Sequence, residues 1–284
     1  MIIDKQTNFV YLCDKLAIKF PQFNAQFTSV LRKYGIGFDF IPNTKDIWAV
    51  DFMPIQVTDN KFIQFTYLPD YLRNTIKGRS SISDVDLLCN YLSVRTTKSN
   101  IILDGGNLSK ARNKVVMCDK VFKENPHMPE RDLINELELL FEVDKIIFIP
   151  THPHDFVGHA DGMLRFLSDD IVLINDYSRE SIDFQLQFRM ALHNAGLDYI
   201  EIPYNPYSNK NYTQANGTYI NYLEMNNVVV VPVFDMVEDE LVMKQFETVF
   251  NNTNIVSLNG NEIANNGGIF NCITWNILKS ESKS

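Results

Sequence analysis

The sequence predicts an α/β protein built from a repeated unit of two strands, a helix and a third strand, here called a ββαβ unit. Three observations support this prediction. Short apolar segments between turn residues are typical of strands, apolar residues at helical spacing follow them, and this order recurs at roughly 50–60 residues, a period typical of propellers and other repeat proteins. The order favours a ring over an open doubly wound sheet, because a hairpin before each helix fits poorly with purely parallel βαβ order.

The clearest unit follows residue 160. Two strands are predicted over Gly162–Leu167 and Ile171–Asn175, on either side of a Ser-Asp-Asp turn. A helix over Ser181–Asn194 ends at a glycine, and a strand over Tyr199–Ile202 ends at a proline. This order is the template for the other units.

Three further units follow the template along the chain. Their predicted elements are the strands Ala49–Val57, Lys61–Tyr67 and Asn100–Leu103 with a helix within Ser83–Ser93; the strands Lys114–Cys118 and Lys145–Ile149 with the helix Glu130–Phe141; and the strands Thr218–Leu223, Val228–Val233 and Asn254–Leu258 with the helix Glu238–Phe250.

The two ends of the chain complete a fifth unit. A strand is predicted over Gly268–Ile277 near the C-terminus, and a helix and strand over Asn24–Lys33 and Gly37–Ile41 near the N-terminus. Joining these pieces closes the ring and removes exposed sheet edges. Because no linker rich in Pro, Gly or Ser divides the chain, we predict a single domain over residues 1–284.

Composition argues against several classes of protein. The chain has 26 Lys and Arg against 35 Asp and Glu, a net charge of −9, which disfavours nucleic-acid binding and suits a cationic substrate. No uncharged apolar run reaches the ~18 residues of a membrane span, and the charged first residues do not form a secretory signal. The four cysteines form no CxxC pair, so we expect reduced thiols in a cytoplasmic protein.

The candidate functional residues lie in five short motifs at equivalent points of the units, and the centre of a ring receives one such segment from each unit. The motifs are Asp46–Asp51 (DIWAVD), Leu103–Asn107 (LDGGN), Gly158–Asp161 (GHAD), Asn216–Asn221 (NGTYIN) and Asn266–Thr274 (NGGIFNCIT). Each motif alone has an ordinary explanation as turn chemistry or core packing. Together they offer a thiol, a histidine and several carboxylates, which suit attack on a guanidinium carbon, proton transfer and bidentate guanidinium binding respectively.

A metal site is the alternative for the segment 151–161, which contains His152, His154 and His159. The aspartate follows the second histidine directly, and the only later histidine, His193, lies within a predicted helix. Because a catalytic zinc typically needs three protein ligands, we predict no metal and no cofactor. His154 is instead expected to contact substrate.

The five motifs, in this order, resemble those of the guanidino-group-modifying superfamily, specifically its agmatine deiminase and bacterial peptidyl-arginine deiminase branch. The resemblance extends over residues 46–275 and is strongest at GHAD and GG-x-x-x-CIT. It implies a five-bladed α/β propeller, the pentein fold. It also implies a metal-independent hydrolase that converts a guanidine to a ureido group plus ammonia through a thiouronium on cysteine.

The resemblance assigns a role to each matched residue. Cys272 matches the nucleophile and His159 the general acid and base. The remaining matches are the guanidinium-binding Asp161 and Asp51, and the substrate-contacting Trp48, Asp104 and Asn221. Asp104 stands where the family usually has Glu, and Asn271 replaces a His that precedes the nucleophile in agmatine deiminases, which puts agmatine itself in doubt as the substrate.

Two other functions stay open at this level. An amidinotransferase would use the same covalent intermediate but resolve it with an amine, and a non-catalytic guanidine-binding protein would retain the fold alone. The expected partner is a small-molecule or peptide guanidine, such as agmatine, arginine or peptidyl arginine, rather than a nucleic acid or a membrane. A homo-oligomer is compatible with all these features.

Overall fold

The computed structural model describes residues 1–280 and contains five separate three-stranded β-sheets. The strands are β1 (Phe9–Cys13), β2 (Gly37–Ile41), β3 (Ile55–Thr58), β4 (Lys61–Thr66), β5 (Thr96–Ile102), β6 (Ser109–Lys110), β7 (Lys114–Cys118), β8 (Lys145–Ile149), β9 (Leu164–Phe166), β10 (Ile171–Asn175), β11 (Asp198–Ile202), β12 (Leu223–Glu224), β13 (Val228–Val233), β14 (Asn254–Asn259) and β15 (Thr274–Ile277).

Helices connect the strands, and the longer ones are amphipathic. They are α1 (Asp14–Lys19), α2 (Pro21–Lys33), α3 (Ala49–Phe52), α4 (Asp70–Arg73), α5 (Ile76–Ser80), α6 (Val85–Tyr91), α7 (Lys120–Glu124), α8 (Glu130–Phe141), α9 (Ile182–Ala195), α10 (Asp239–Val249) and α11 (Asn261–Ala264). Helix α8 buries Leu133, Leu137 and Phe141, which lie four residues apart on one face. Helix α9 begins after Ser181, whose side chain accepts a hydrogen bond from the amide of Phe184.

Four sheets repeat the predicted ββαβ unit. In each, the first strand pairs antiparallel with the second, and the second pairs parallel with a third strand that follows a helix. The strand orders are β3-β4-β5, β6-β7-β8, β9-β10-β11 and β12-β13-β14. The repeat predicted from the sequence is confirmed.

The fifth sheet joins the two ends of the chain. Its order is β15-β1-β2, with β15 antiparallel to β1 and β1 parallel to β2. Phe9 pairs with Ile277 on one side and with Gly37 on the other. This sheet completes a fifth unit from N- and C-terminal pieces, so the five-bladed α/β propeller is confirmed and the open doubly wound sheet is excluded.

The apolar core lies between the sheets and the helices that cover them. Residues Val228–Val231 of β13 are fully buried, as expected for a strand with both faces covered, and they pack in one cluster with Phe27 of α2 and Phe246 of α10. None of the helices within residues 1–280 is long and apolar enough to cross a membrane.

Three predicted strands differ from the structure at the functional motifs. Ala49–Phe52 is a helical turn, with β3 starting at Ile55, although the prediction extended one strand across Ala49–Val57. Only Leu223 of the predicted Thr218–Leu223 strand lies in β12, and β15 starts at Thr274, so only the end of the predicted Gly268–Ile277 strand is extended. The physical reason is common to all three: the chain turns there so that polar side chains point toward the centre of the ring.

The five motifs meet at that centre. Helix α3 and the single turns Gly105–Asn107 and Ala160–Gly162 pack against one another. The amide of Val50 donates a hydrogen bond to the carbonyl of Cys272 at 3.4 Å, and the amide of Asn271 donates to the carbonyl of Asn221 at 3.3 Å. Backbone contacts therefore hold segments of all the units in one place.

Candidate active site

Cys272 lies in the turn before β15 and is the one cysteine of four that is not fully buried. Its Sγ lies 3.3 Å from Asn221 Oδ1 and 3.8 Å from Asp161 Oδ2. Asn221 Oδ1 also accepts a hydrogen bond from the Cys272 amide at 3.3 Å. The asparagine therefore holds both the backbone and the thiol of Cys272, with a carboxylate beside them.

Gly268 allows the turn that carries Cys272 to approach Trp48. A Cβ atom at Gly268 would lie 2.6 Å from Trp48 Cζ3 and 2.9 Å from the Cβ of Cys272. Both distances are shorter than van der Waals contact, so any larger side chain would clash there. The predicted need for glycine before the nucleophile thus has a steric cause. Trp48 packs against the turn and supports the position of the thiol.

His159 is held between two carboxylates. Its Nε2 lies 2.9 Å from Asp104 Oδ2, and its Nδ1 lies 3.5 Å from Asp51 Oδ1. The amide of Gly106 donates a hydrogen bond to the same Asp51 oxygen at 3.1 Å. A Cβ at Gly106 would lie 2.5 Å from His159 Nδ1, so glycine is required where this turn passes the imidazole.

A buried lysine and a tyrosine support the carboxylate that contacts His159. Lys120 Nζ lies 3.4 Å from Asp104 Oδ2, and the Tyr71 hydroxyl donates to that oxygen at 3.2 Å. Lys120 also donates to the carbonyl of Val157 at 2.6 Å, which ties it to the segment before His159. The sequence analysis missed Lys120 and Tyr71, because no local pattern marks contacts between residues this far apart in the chain.

Asp161 is bound by a neutral partner. Asn271 Nδ2 donates to Asp161 Oδ2 at 2.7 Å, so the asparagine noted above as a departure from agmatine deiminases has a defined contact. Among residues 1–280, no lysine, arginine or histidine forms an ion pair with Asp161. This buried carboxylate therefore lacks a cation.

Burial and nearby charges shift the pKa values of the three carboxylates. Burial raises the pKa of Asp51 to about 7, helped by Asp104 and Asp161 and opposed by His159. Burial likewise raises the pKa of Asp161. Burial acts in the same direction on Asp104, but the hydrogen bond and charge of His159, with the charge of Lys120, hold its pKa below the ordinary value. The site thus carries more buried carboxylates than cations to balance them.

The histidine and the thiol respond to this excess of negative charge. Burial alone would lower the pKa of His159, but Asp51 and Asp104 raise it to about 9, so the imidazole is protonated at neutral pH. Burial raises the pKa of Cys272 well above its ordinary value, and Asp161 and Asp51 add to the rise. Without a ligand, Cys272 is therefore a protonated thiol, and the same cavity holds the imidazolium of His159.

A cavity of about 380 Å³ opens over the thiol. Of the eight residues predicted for the site, His154, His159, Asp161, Asn221 and Cys272 line it. Asp51 and Asp104 contact His159 from outside the lining, and Trp48 lies against Gly268, which lines the cavity. Asp104 was predicted to contact substrate, whereas in the structure it is enclosed by His159, Lys120 and Tyr71.

The outer part of the cavity holds the remaining histidines. His154 stacks on the exposed ring of Tyr212, with centroids 4.9 Å apart and planes 13° apart. His152 is buried and its Nε2 faces Glu180 at 3.5 Å. Within residues 1–280, no group of three or more His, Cys, Asp or Glu side chains is arranged to hold a metal ion.

Comparison with known proteins places the chain in a family. Residues 10–277 match the family model of the Porphyromonas-type peptidyl-arginine deiminases. The chain belongs to this family. The match covers all five motifs of the ring, and the predicted family relationship is confirmed.

Solved structures share the fold across nearly the whole chain. An agmatine deiminase of C. jejuni has a TM-score of 0.80 at 17% identity, covering 98% of this chain and 96% of that one. The same enzyme was solved as a cysteine-to-serine variant with substrate bound, also with a TM-score of 0.80, at 18% identity and the same coverage. DDAH of Pseudomonas aeruginosa, in complex with citrulline, has a TM-score of 0.60 at 10% identity, covering 96% and 100%.

Curated relatives match a smaller part of the chain. A protein of Mycoplasma mycoides subsp. mycoides SC, provisionally named an agmatine deiminase, is 20% identical over 219 residues. Those residues are 66% of this chain and 60% of the relative, so this chain spans about three fifths of that protein's length.

Proposed function

We propose that this protein is a metal-independent hydrolase that converts the guanidine of an agmatine- or arginine-like substrate to a ureido group, releasing ammonia. One observation carries the proposal. A thiol, an imidazolium and a carboxylate that lacks a cation share one cavity, with Asp161 Oδ2 3.8 Å from Cys272 Sγ. Membership of the peptidyl-arginine deiminase family supports the same chemistry.

The excess of buried negative charge favours a cationic substrate. Burial raises the pKa values of both Asp161 and Asp51, and the charges of Asp104 and Asp161 add to the rise at Asp51. A guanidinium placed between them would supply the missing positive charge and donate N–H hydrogen bonds to the carboxylates in bidentate geometry. The substrate-binding carboxylates in this proposal are therefore Asp161 and Asp51, with Asn271 and Gly106 orienting them.

The same positive charge would activate the nucleophile. Burial, Asp161 and Asp51 keep the pKa of Cys272 high in the free protein. A bound guanidinium offsets the two carboxylates, so the thiol loses its proton to solvent as the substrate enters. Sγ then bonds to the guanidinium carbon, while Asn221 holds the sulfur and its backbone in position.

His159 would act in both halves of the reaction. As an imidazolium, with its pKa near 9, it protonates the departing nitrogen, and ammonia leaves a thiouronium on Cys272. The neutral imidazole then removes a proton from water, which attacks the thiouronium carbon. Collapse of this adduct breaks the C–S bond, the hydroxyl proton returns to sulfur, and the ureido product departs. In this scheme Asp104 is a positioning residue that keeps the imidazole oriented and charged.

An ammonia-release screen tests the proposal. The wild-type protein is assayed with agmatine, arginine, blocked arginine peptides and methylated arginines, and the ureido product is identified by mass. Cys272→Ser should abolish turnover, whereas Cys89→Ser, which alters a buried thiol outside the cavity, should not. A haloacetamidine probe should label Cys272.

Three outcomes would contradict parts of the proposal. Full activity of the Cys272 variant would remove the nucleophile assignment. Transfer of the amidino group to an added amine, without a ureido product, would identify an amidinotransferase. Activity that a chelator abolishes and zinc restores would contradict metal independence.

A further inference from the structure

Three acidic residues line the cavity, Asp155, Asp161 and Glu180, and Glu180 is far from Cys272 in sequence. Its side chain is only 6% exposed, yet the residue lines the same cavity as the thiol. Glu180 Oε1 accepts a hydrogen bond from the Tyr207 hydroxyl at 2.9 Å. A buried carboxylate is costly unless a cation or several donors compensate it, so its other contacts decide what it does.

His152 does not supply a compensating charge. Its Nδ1 accepts a hydrogen bond from the amide of His154 at 3.3 Å, which leaves the ring proton of the neutral imidazole on Nε2. That Nε2 lies 3.5 Å from Glu180 Oε1, too far for a good hydrogen bond, and finds no other partner within the described residues. Burial also lowers the pKa of His152, which keeps the ring neutral.

No other cation of the described chain reaches the carboxylate. Neither lysine nor arginine nitrogens form an ion pair with Glu180 in residues 1–280, and no donor there contacts Oε2. Arg179, its neighbour in sequence, instead stacks on the Tyr207 ring, with its guanidinium carbon 3.9 Å from the centroid. Glu180 is thus a nearly enclosed carboxylate that faces the cavity and forms no ion pair with a lysine or arginine of residues 1–280, although Lys210 also lines the cavity.

Aromatic rings surround this position. Tyr204 packs edge-on against Tyr207 and against Tyr177, with centroid distances of 5.9 and 5.3 Å, and all three line the cavity. Ring faces attract cations, and a carboxylate among aromatic rings is a typical environment for an ammonium group. The outer cavity therefore has the chemistry of a second cation site.

We propose that Glu180 binds the ammonium group at the chain end of a guanidine substrate, so that the protein selects dicationic substrates of the agmatine type. The inference rests on the proposed function, because it assigns the tail of the substrate whose guanidinium binds near Cys272. Tyr207 orients the carboxylate, and His152 Nε2 lies 3.5 Å from the same oxygen, Oε1. A blocked arginine peptide, which has no ammonium at this position, would leave the buried carboxylate without a partner.

The test compares agmatine with butylguanidine, which has the same guanidinium and a neutral tail. The measured quantity is the ratio of kcat/KM for agmatine to kcat/KM for butylguanidine. Loss of one charge-assisted hydrogen bond predicts that Glu180→Gln lowers this ratio about 10- to 100-fold, mainly through KM for agmatine. Tyr207→Phe should lower it a few-fold. Glu201→Gln, which alters a carboxylate paired with Arg189 outside the cavity, should preserve the ratio.

The outcomes separate the two proposals. Turnover of both guanidines with a ratio that Glu180→Gln leaves within twofold of wild type would overturn the ammonium site but keep the proposed hydrolase. A wild-type ratio near one would do the same. Absence of turnover of both compounds would overturn the ammonium site, and absence of turnover of every guanidine in the ammonia-release screen would overturn the proposed function as well. Butylguanidine turnover in the variant also reports that its active site is folded.

Discussion

Replacing Asp104 with asparagine tests whether this carboxylate keeps His159 protonated. In the wild-type protein, His159 Nε2 lies 2.9 Å from Asp104 Oδ2. Asparagine has nearly the same shape as aspartate, so the substitution removes the negative charge while an oxygen can stay near His159 Nε2. The pKa of His159 is about 9 because Asp51 and Asp104 together outweigh its burial. An opposite charge within ~4–6 Å shifts a pKa by about 1–3 units, so losing one of the two should lower that of His159 by about 2 units, to about 7.

The consequence is a loss of activity that depends on pH. At pH 8 the protonated fraction of His159 falls from about 0.9 to about 0.1, so kcat should fall about 10-fold at pH 8 and much less at pH 6. The assay is ammonia release from pH 6 to 10, with the exposed Asp198→Asn as the matched control. If the activity of Asp104→Asn still falls only near pH 9 in its pH–rate profile, the assignment is refuted. If turnover is too low to measure, an NMR titration of His159 in the variant gives the same answer.

Three further predictions follow from the charges of the site. Asp51→Asn and Asp161→Asn should each lower kcat/KM by about 10²-fold or more, since each removes a charge-assisted partner of the guanidinium; near-wild-type values in both would contradict the clamp. In pre-steady-state measurements, His159→Gln should slow both adduct formation and hydrolysis, whereas His154→Gln should mainly raise KM; the reverse pattern would move the acid–base role. Folded pKa values of about 9 for His159 and about 7 for Asp51 exceed the unfolded 6.5 and 3.8, so both groups stabilise the fold at low pH. As the pH rises, the free energy of unfolding should therefore decrease between pH 3.8 and about 7 because of Asp51, and by about 3 kcal/mol between pH 6.5 and 9 because of His159. Urea titrations in which His159→Gln keeps the full slope above pH 6.5 would contradict this.

The regular parts of the fold were predictable because their signals are local. β13 is a continuous run of apolar residues, and its bounds match the predicted strand Val228–Val233. Helix α8 also has its predicted bounds, because apolar residues recur every four positions before the chain turns. Strand β1, Phe9–Cys13, was not predicted, since both its partners depend on the rest of the ring and one of them, β15, comes from the opposite end of the chain.

The site was predictable in composition and less so in arrangement. The five motifs indicated which side chains converge, and the structure brings all eight predicted residues to the cavity or to its immediate support. The partners of each carboxylate could not be predicted, because contacts such as Lys120 with Asp104 or Asn271 with Asp161 join distant segments and follow no sequence period. The role proposed for Glu180 likewise rests on contacts that follow no sequence period, since no lysine or arginine within residues 1–280 forms an ion pair with it.

The uneven charge of the cavity links binding to activation. Ionisation is unfavourable in a buried site that holds more carboxylates than cations, and the raised pKa values of Asp51 and Asp161 reflect that cost. The same charges keep Cys272 protonated and weakly nucleophilic while the cavity is free. A guanidinium relieves the carboxylates and lowers the pKa of the thiol in one step, so the substrate's own charge creates the nucleophile that attacks it. A neutral amide or urea of the same shape would fill the cavity without this effect, and we therefore expect such compounds to be neither tightly bound nor turned over.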